Sequence, residues 1–332
     1  MPSQPEQPIN DTLEAVGEGA VLARIFPRLP AAAAQLLGPG DDAAIVAAPD
    51  GRYVVTTDMM IHGPDFRLAW STPHDLGWKA AASNLSDIAA MGAVPTAIVV
   101  AIAAPAGSPV SLLEGIADGL RDACAALAPG CGVVGGDLSV SGTLTIAVSA
   151  FGDLEGRAPV LRSGARAGDV VAVAGTLGEA AGALRLLFAE AVDADGHPDA
   201  RLADSLRPRT APQLTPTPPI FAGRIAAIAG ATAMLDLSDG LAIDAGRLAR
   251  SSGVGIDFDS TLLGDDPVIA MAGGEDHSLL ATFPPGVALP APFRRVGSCT
   301  AGGISAGGIS LDGEPWDPAG WDPYRDWSGS AG

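Results

Sequence analysis

A chain of 332 residues with 48% hydrophobic content is long enough for one large domain or two ordinary ones, each with a substantial core. Its net charge is −19, with only 19 basic residues and a single lysine, Lys79. That balance excludes the basic patch a nucleic-acid or anionic membrane partner requires, though bound cations can still reverse the field locally and admit a nucleotide.

The polar N-terminus carries no signal-peptide pattern, and no apolar run reaches a membrane span of about 18 residues. Cys124, Cys131 and Cys299 form no metal spacing or disulfide framework. They read as small buried hydrophobes, and the odd count fits a reducing cytoplasm.

Residues 1–10 read as disordered, and 12–28 as a helix. Segments 43–46 and 53–57 read as strands joined by a turn at Pro49-Asp50-Gly51, the second ending on Thr56-Thr57-Asp58. Ser71-Thr72-Pro73 starts a helix that runs to Met91 and sets Asn84 and Asp87 on one face. Then come a strand (96–103), an amphipathic helix (111–127), and strands 132–134 and 144–152 on either side of Gly135-Gly136-Asp137. This order is α+β rather than alternating βα units. A composition shift at 156–168 divides the chain into domains 1–155 and 156–332.

The second half reads as strand 170–174, helix 177–191, a polar stretch, and a Pro-rich linker at 207–219. Helix 220–229, strand 234–237, helix 240–252 and strands 255–258, 278–282 and 293–296 follow. The tail reads as a loop with Trp316, Trp321, Tyr324 and Trp327, which suits an anchor for the C-terminus.

Aspartates in Gly, Ser or Thr settings recur from end to end: Asp41 and Asp42, Asp58, Asp87, Asp137, Asp236 and Asp239. Each has a bland explanation as a turn former or helix cap. Gathered in one cleft they would repel one another unless hard divalent cations such as Mg²⁺ stood between them, with phosphate and water as further ligands. Asn84 and Asp87 are the least ordinary, because a polar pair inside an Ala-rich helix is costly unless satisfied. Glycines at 135–136 permit close backbone approach to phosphate, and Asp236 to Gly240 spans a strand-to-helix junction where amides favour anions. No Walker loop, protein-kinase signature set or nucleophile elbow is present.

Taken in order, GDDA, TTD, GWKAAASNLSDIAAMGA, VVGGD, LRSGAR, GTLG, LDLSDGL and GGED resemble the thiamine-monophosphate kinase family over about residues 11–325. That family sits in a superfamily with AIR synthetase, selenophosphate synthetase and a hydrogenase maturation protein. The resemblance implies an AIR synthetase-like fold: an N-terminal α+β domain whose strands build a homodimer interface, and a C-terminal α/β domain. It implies direct, in-line transfer from ATP to thiamine monophosphate with several Mg²⁺ ions, the last step of thiamine diphosphate synthesis.

By motif, the resemblance makes Asp42, Thr56, Thr57, Asp58, Asp87, Asp137, Asp236 and Asp239 metal ligands. Gly136, Asp137, Arg162 and Ser238 would contact ATP, and Asp42, Asp87, Asp137 and Arg162 would serve catalysis. Glu275 and Trp321 would hold thiamine monophosphate, the indole stacking on a cationic ring. Many relatives have His before the Phe in the segment after TTD. This chain has Asp65 there, which by the resemblance would take that substrate-contacting place, with His62 and Arg67 as nearby substitutes.

Other acceptors within the superfamily, and a non-catalytic acidic Ca²⁺- or nucleotide-binding protein, are the competing readings. The aspartates lack the regular short spacing of calcium-loop repeats.

Overall fold

The computed structural model describes residues 11–38, 43–301 and 308–317. Asp41, Asp42, Trp321, Tyr324, Trp327 and the first ten residues lie outside the described residues.

The first half is built on a four-stranded sheet in the order β3-β6-β4-β5. These strands are β3 (Val54–Ile61), β4 (Val94–Ala104), β5 (Val133–Val140) and β6 (Thr145–Asp153). A small hairpin, β1 (Gln35–Leu37) with β2 (Ile45–Val46), was not foreseen at β1. Strand β3 runs four residues beyond the expected end, pairing with β6 from Val54↔Gly152 to Ile61↔Thr145. Asp58 therefore lies within a strand, because alternation continues through Met60 and Ile61 and outweighs one aspartate.

Gly135-Gly136-Asp137 is likewise inside β5, parallel to β4, and not in a loop between strands. The register forces the glycine: a Cβ on Gly136 would sit 2.0 Å from the Val100 carbonyl oxygen. The expected 12–28 helix is broken at Gly17 (φ 80°) into α1 (Leu13–Val16) and α2 (Glu18–Ile25).

Helix α3 (Pro73–Ala90) begins on a capping box, Thr72 and Asp75 each accepting the other's backbone N–H. Its Ala-rich surface allows burial nearly all round. Helix α4 (Val110–Leu127) crosses it where a Cβ on Gly119 would meet the His74 carbonyl oxygen at 2.0 Å. Both helices pack on one face of the four-stranded sheet, with Leu85, Ile88, Ile98, Ile116 and Val148 in a common core.

The second half centres on a seven-stranded sheet, β13-β12-β9-β11-β7-β10-β8. In chain order these are β7 (Val170–Ala174), β8 (Ala233–Asp236), β9 (Val254–Phe258), β10 (Leu279–Phe283), β11 (Arg294–Ala301), β12 (Ile309–Leu311) and β13 (Glu314–Pro315). Period-two alternation splits the sheet's residues between two cores. Ala172, Ala174, Met234, Leu279 and Phe283 join the first-half core, while Val171, Val173, Leu235 and Leu280 pack with Leu241, Ala245 and Leu248 of α8 (Leu241–Ser252). The halves are thus welded through α3 and α7 (Ile220–Ile228).

The stretch read as a Pro-rich linker is largely helical. Helix α6 (Ala200–Leu214) runs through Pro208 and Pro212, capped by Asp199, which accepts from the Arg201 and Leu202 amides. Packing against α5 (Glu179–Glu190) and around Trp70, Leu187 and Ala203 overrides the proline penalty. Trp316 packs against the second core, as expected of an anchor. No helix among the described residues is long and apolar enough to cross a membrane.

Candidate active site

Strand β3 and helix α3 bring the first polar groups together. The Thr56 hydroxyl donates to Asp87 Oδ2 at 2.8 Å, and the Asp58 amide donates to Asn84 Oδ1 at 3.1 Å. The buried Asn84 thus pins the strand to the helix and fixes Asp58 beside Asp87. From the second half, β8 ends on Asp236, whose Oδ2 accepts from Ser86 at 3.3 Å and lies 3.5 Å from His277 Nδ1. Carboxylates from three elements therefore converge along one face of α3.

The electrostatics follow from that crowding. Burial, then the charges of Asp236 and Asp58, push the Asp87 carboxyl up to about 7. Asp58 is also raised, mainly by burial. Burial opposes ionisation of Asp236 too, but hydrogen bonding and charge from His277 hold it below the usual carboxylate range. Three acids gathered beside one histidine thus form an oxygen-rich, anionic patch.

The Asp236-to-Gly240 junction differs from the sequence reading in one respect. The amides of Ser238 and Asp239 already have an anion of their own: both donate to Asp244 Oδ2, at 3.0 and 2.9 Å. Asp244 reaches back from the first turn of α8, and burial raises its pKa to about 6. Arg247 in turn holds Asp239 (2.5 Å) and Asp244 (2.6 Å). Nothing in the residue order signals this triad beyond the i, i+3 spacing of Asp244 and Arg247.

The Gly273-Gly274-Glu275-Asp276 segment lies opposite. Glu275 and His277 both have left-handed backbones, φ 66° and 51°, which cost non-glycine residues energy. Their amides are tied to the Ser238 and Leu237 carbonyls at 2.8 and 3.0 Å. Asp276 faces the other way and caps α5 through the Gly178 and Ala180 amides. Glu275 accepts from Lys79 Nζ at 2.8 Å and from Gln213 Nε2.

Asp65 sits near this pocket, but its Oδ2 accepts from the Ile61 amide at 2.7 Å, closing the turn between β3 and Phe66. Arg67 is clamped between Trp70 and Phe188, 4.6 Å from each ring centroid.

Other expected residues stand apart. Thr57 points to the opposite face of the sheet, its hydroxyl donating to the Val148 carbonyl. Asp137 lies on that same opposite face, with β6 and β4 between it and β3. Arg162 is exposed, and its carbonyl accepts from Ser252 at the far end of α8. A cavity of about 820 Å³ flanks edge strand β5, lined by apolar side chains of α2 and α4 together with Gly136 and Asp137.

Two α+β halves joined at such an acidic cleft define the AIR synthase related class: its N-terminal domain matches residues 40–154 and its C-terminal domain 166–292. The thiamine-monophosphate kinase of Mycobacterium tuberculosis is 44% identical over 307 residues, 86% of each chain. A thiamine-monophosphate kinase crystal structure from Stenotrophomonas maltophilia superposes with TM-score 0.73 at 30% identity, over 90% of this chain and 96% of that one. A complex of AaThiL with AMPPCP and TMP gives 0.71 at 31%, over 92% and 96%. The chain belongs to the thiamine-monophosphate kinase family.

Proposed function

We propose that this chain transfers the γ-phosphoryl group of ATP to thiamine monophosphate, giving ADP and thiamine diphosphate. The observation that carries the reading is the convergence of Thr56, Asp58, Asp87 and Asp236 from both halves, in a chain 44% identical to a thiamine-monophosphate kinase.

The acceptor is a phosphate monoester, already nucleophilic near neutral pH, so no strong general base is needed. The obstacle is repulsion between two phosphate groups. The carboxylates fit Mg²⁺: their donor atoms are hard oxygens, and Asp87, buried and then crowded by Asp236 and Asp58, ionises with difficulty. Thr56, Asp58, Asp87 and Asp236 are the ligands we assign, with Asp239 beside them and, by its motif alone, Asp42. Mg²⁺ bound there would supply the positive charge that lets the two phosphates approach. The chain's own part is positioning: Asn84 and Ser86 fix the acids, and the Lys79–Glu275 pair frames the opposite end for the cationic acceptor. Transfer is in line, without a phosphoenzyme.

Thr57 and Asp137 enter through a second copy. They share one sheet face but are separated by three strand spacings, about 14 Å. Val55 and Met59 on that face are 61% and 58% exposed. A homodimer laying the β5 edge of one copy against the β3 edge of the other would bring Asp137 of one to the Thr57 face of β3 in the other, one residue from Asp58. The apolar cavity beside Gly136 and Asp137 then suits the nucleoside half of ATP.

Product formation tests the activity. Thiamine diphosphate should appear from ATP, Mg²⁺ and thiamine monophosphate, not from free thiamine, and should vanish with EDTA. ATP binding without that product would overturn the acceptor assignment. Asp58→Asn and Asp137→Asn, each inactive alone, test the shared site. Re-associated as a mixture they should recover about a quarter of wild-type activity, since half the dimers carry one intact site of two. No recovery would place both residues in one chain's site.

A further inference from the structure

Lys79 is the only lysine in the chain, and it is spent in the interior: 6% exposed, on α3, with its ammonium 2.8 Å from Glu275 Oε2. An ammonium is strongly hydrated, and burying it is costly unless a partner repays the loss. Gln213 of α6, 5% exposed, donates its Nε2 to the same carboxylate oxygen. The carboxylate also fixes the amide's orientation, since the opposite flip would set two oxygens against each other. Gln213 Oε1 is consequently left buried without a partner, a cost accepted for the sake of its other end. Two buried donors from two different helices thus grip one oxygen of a half-buried side chain whose backbone is itself strained.

A stability role does not account for this expense. Glu275 is not needed to close a turn or cap a helix: Asp276 caps α5, and the Glu275 amide already binds the Ser238 carbonyl. The remaining carboxylate oxygen, Oε1, has no hydrogen-bond partner among the described residues and is the atom left to meet a ligand. Along α3, Lys79 stands eight residues from Asp87, about 12 Å of helix. That span suits a substrate carrying its phosphate at one end and a cationic ring at the other.

We infer that Lys79 and Gln213 are positioning residues that hold Glu275 as a fixed anion for the cationic ring of the acceptor. The inference rests on the assignment of thiamine monophosphate to this pocket. Both residues act through Glu275 and need not touch the substrate. The other titratable groups facing Glu275 are Asp65, from the turn after β3, and His277 in its own segment. Burial works against the charge on Glu275, and the Lys79 ammonium, with smaller help from Gln213 and His277, keeps the carboxyl below its usual range.

The test is steady-state kinetics of Lys79→Met, Lys79→Arg and Gln213→Leu, with melting curves and the KM for ATP as controls. Lys79→Met should raise the KM for thiamine monophosphate about ten- to a hundredfold, leaving kcat within about threefold and the ATP KM unchanged. Gln213→Leu should act in the same direction by less, and Lys79→Arg should restore part of the loss. Without its cation Glu275 protonates more readily, so as pH falls from 8 to 6 the Lys79→Met KM should climb more steeply than that of the wild type, in which only the groups common to both proteins titrate.

If Lys79→Met does not fold, Gln213→Leu carries the same test. Folded variants with unchanged KM, or with kcat lost and KM kept, would overturn the clamp. A wild-type protein that makes no thiamine diphosphate would sink the acceptor assignment, and the clamp with it.

Discussion

The two ends of α3 bury charge in opposite ways. Toward its N-terminus each charge has a partner within the chain: Lys79 with Glu275, and Asp75, 2% exposed, with Arg207 at 2.6 Å. Toward its C-terminus Asp87 meets Asp58 and Asp236, and of these three acids His277 bonds only to Asp236. A buried pair closed on itself is part of the scaffold or aims a neighbour. A buried cluster left anionic is built for cations that arrive with the substrate. One helix therefore serves as both rigid frame and ion seat.

The contrast breaks most readily at the anionic end. Asp87→Asn should lower kcat about a hundredfold or more while the metal-free protein melts no lower than wild type, because the change removes a repulsion and not a bond of the core. An unchanged kcat in a coupled ADP assay would remove Asp87 from the site.

At the paired end the effects should exchange. Asp75→Ala removes one half of the capping box and the Arg207 partner, and should cost about 2–4 kcal/mol in urea unfolding with kcat nearly kept. Activity falling further than stability would erase the distinction between the ends.

A smaller effect separates proton from metal at Asp87. Its folded pKa, about 7, lies above its unfolded value. The stability linked to its proton is therefore complete at low pH and is lost as pH rises through 7. The metal-free protein should melt lower at pH 8 than at pH 5, more steeply in the wild type than in Asp87→Asn. Added Mg²⁺ should recover more at pH 8, where it meets no competing proton. Equal slopes for the two proteins would show that the Asp87 pKa is not raised.

Much of this was legible in the residues. The α+β order, α3 with its Thr72 cap, strand 170–174, and the meeting of Asp58, Asp87 and Asp236 all followed from local chemistry and motif order. Three segments misled for one reason: local composition was read without its packing. Asp58 did not end β3, Gly135-Gly136-Asp137 did not form a loop, and the prolines of α6 did not make a linker. In each case neighbouring strands or helices repaid what the local residue lost. Gln213, Asp244, Arg247 and His277 escaped notice because their partners are remote or their motifs too short to carry meaning.

The sequence alone determined the acidic character, the scarcity of basic residues, and which oxygen-bearing residues the chain could offer, since these depend on residue type and near spacing. The tertiary structure decided which of them meet. It set Thr56 toward Asp87 and turned Thr57 away, because successive strand residues face opposite sides. It also brought the one lysine to Glu275 across 196 positions of sequence, since only the packing of α3 and α6 on the Glu275 loop holds those donors on one oxygen.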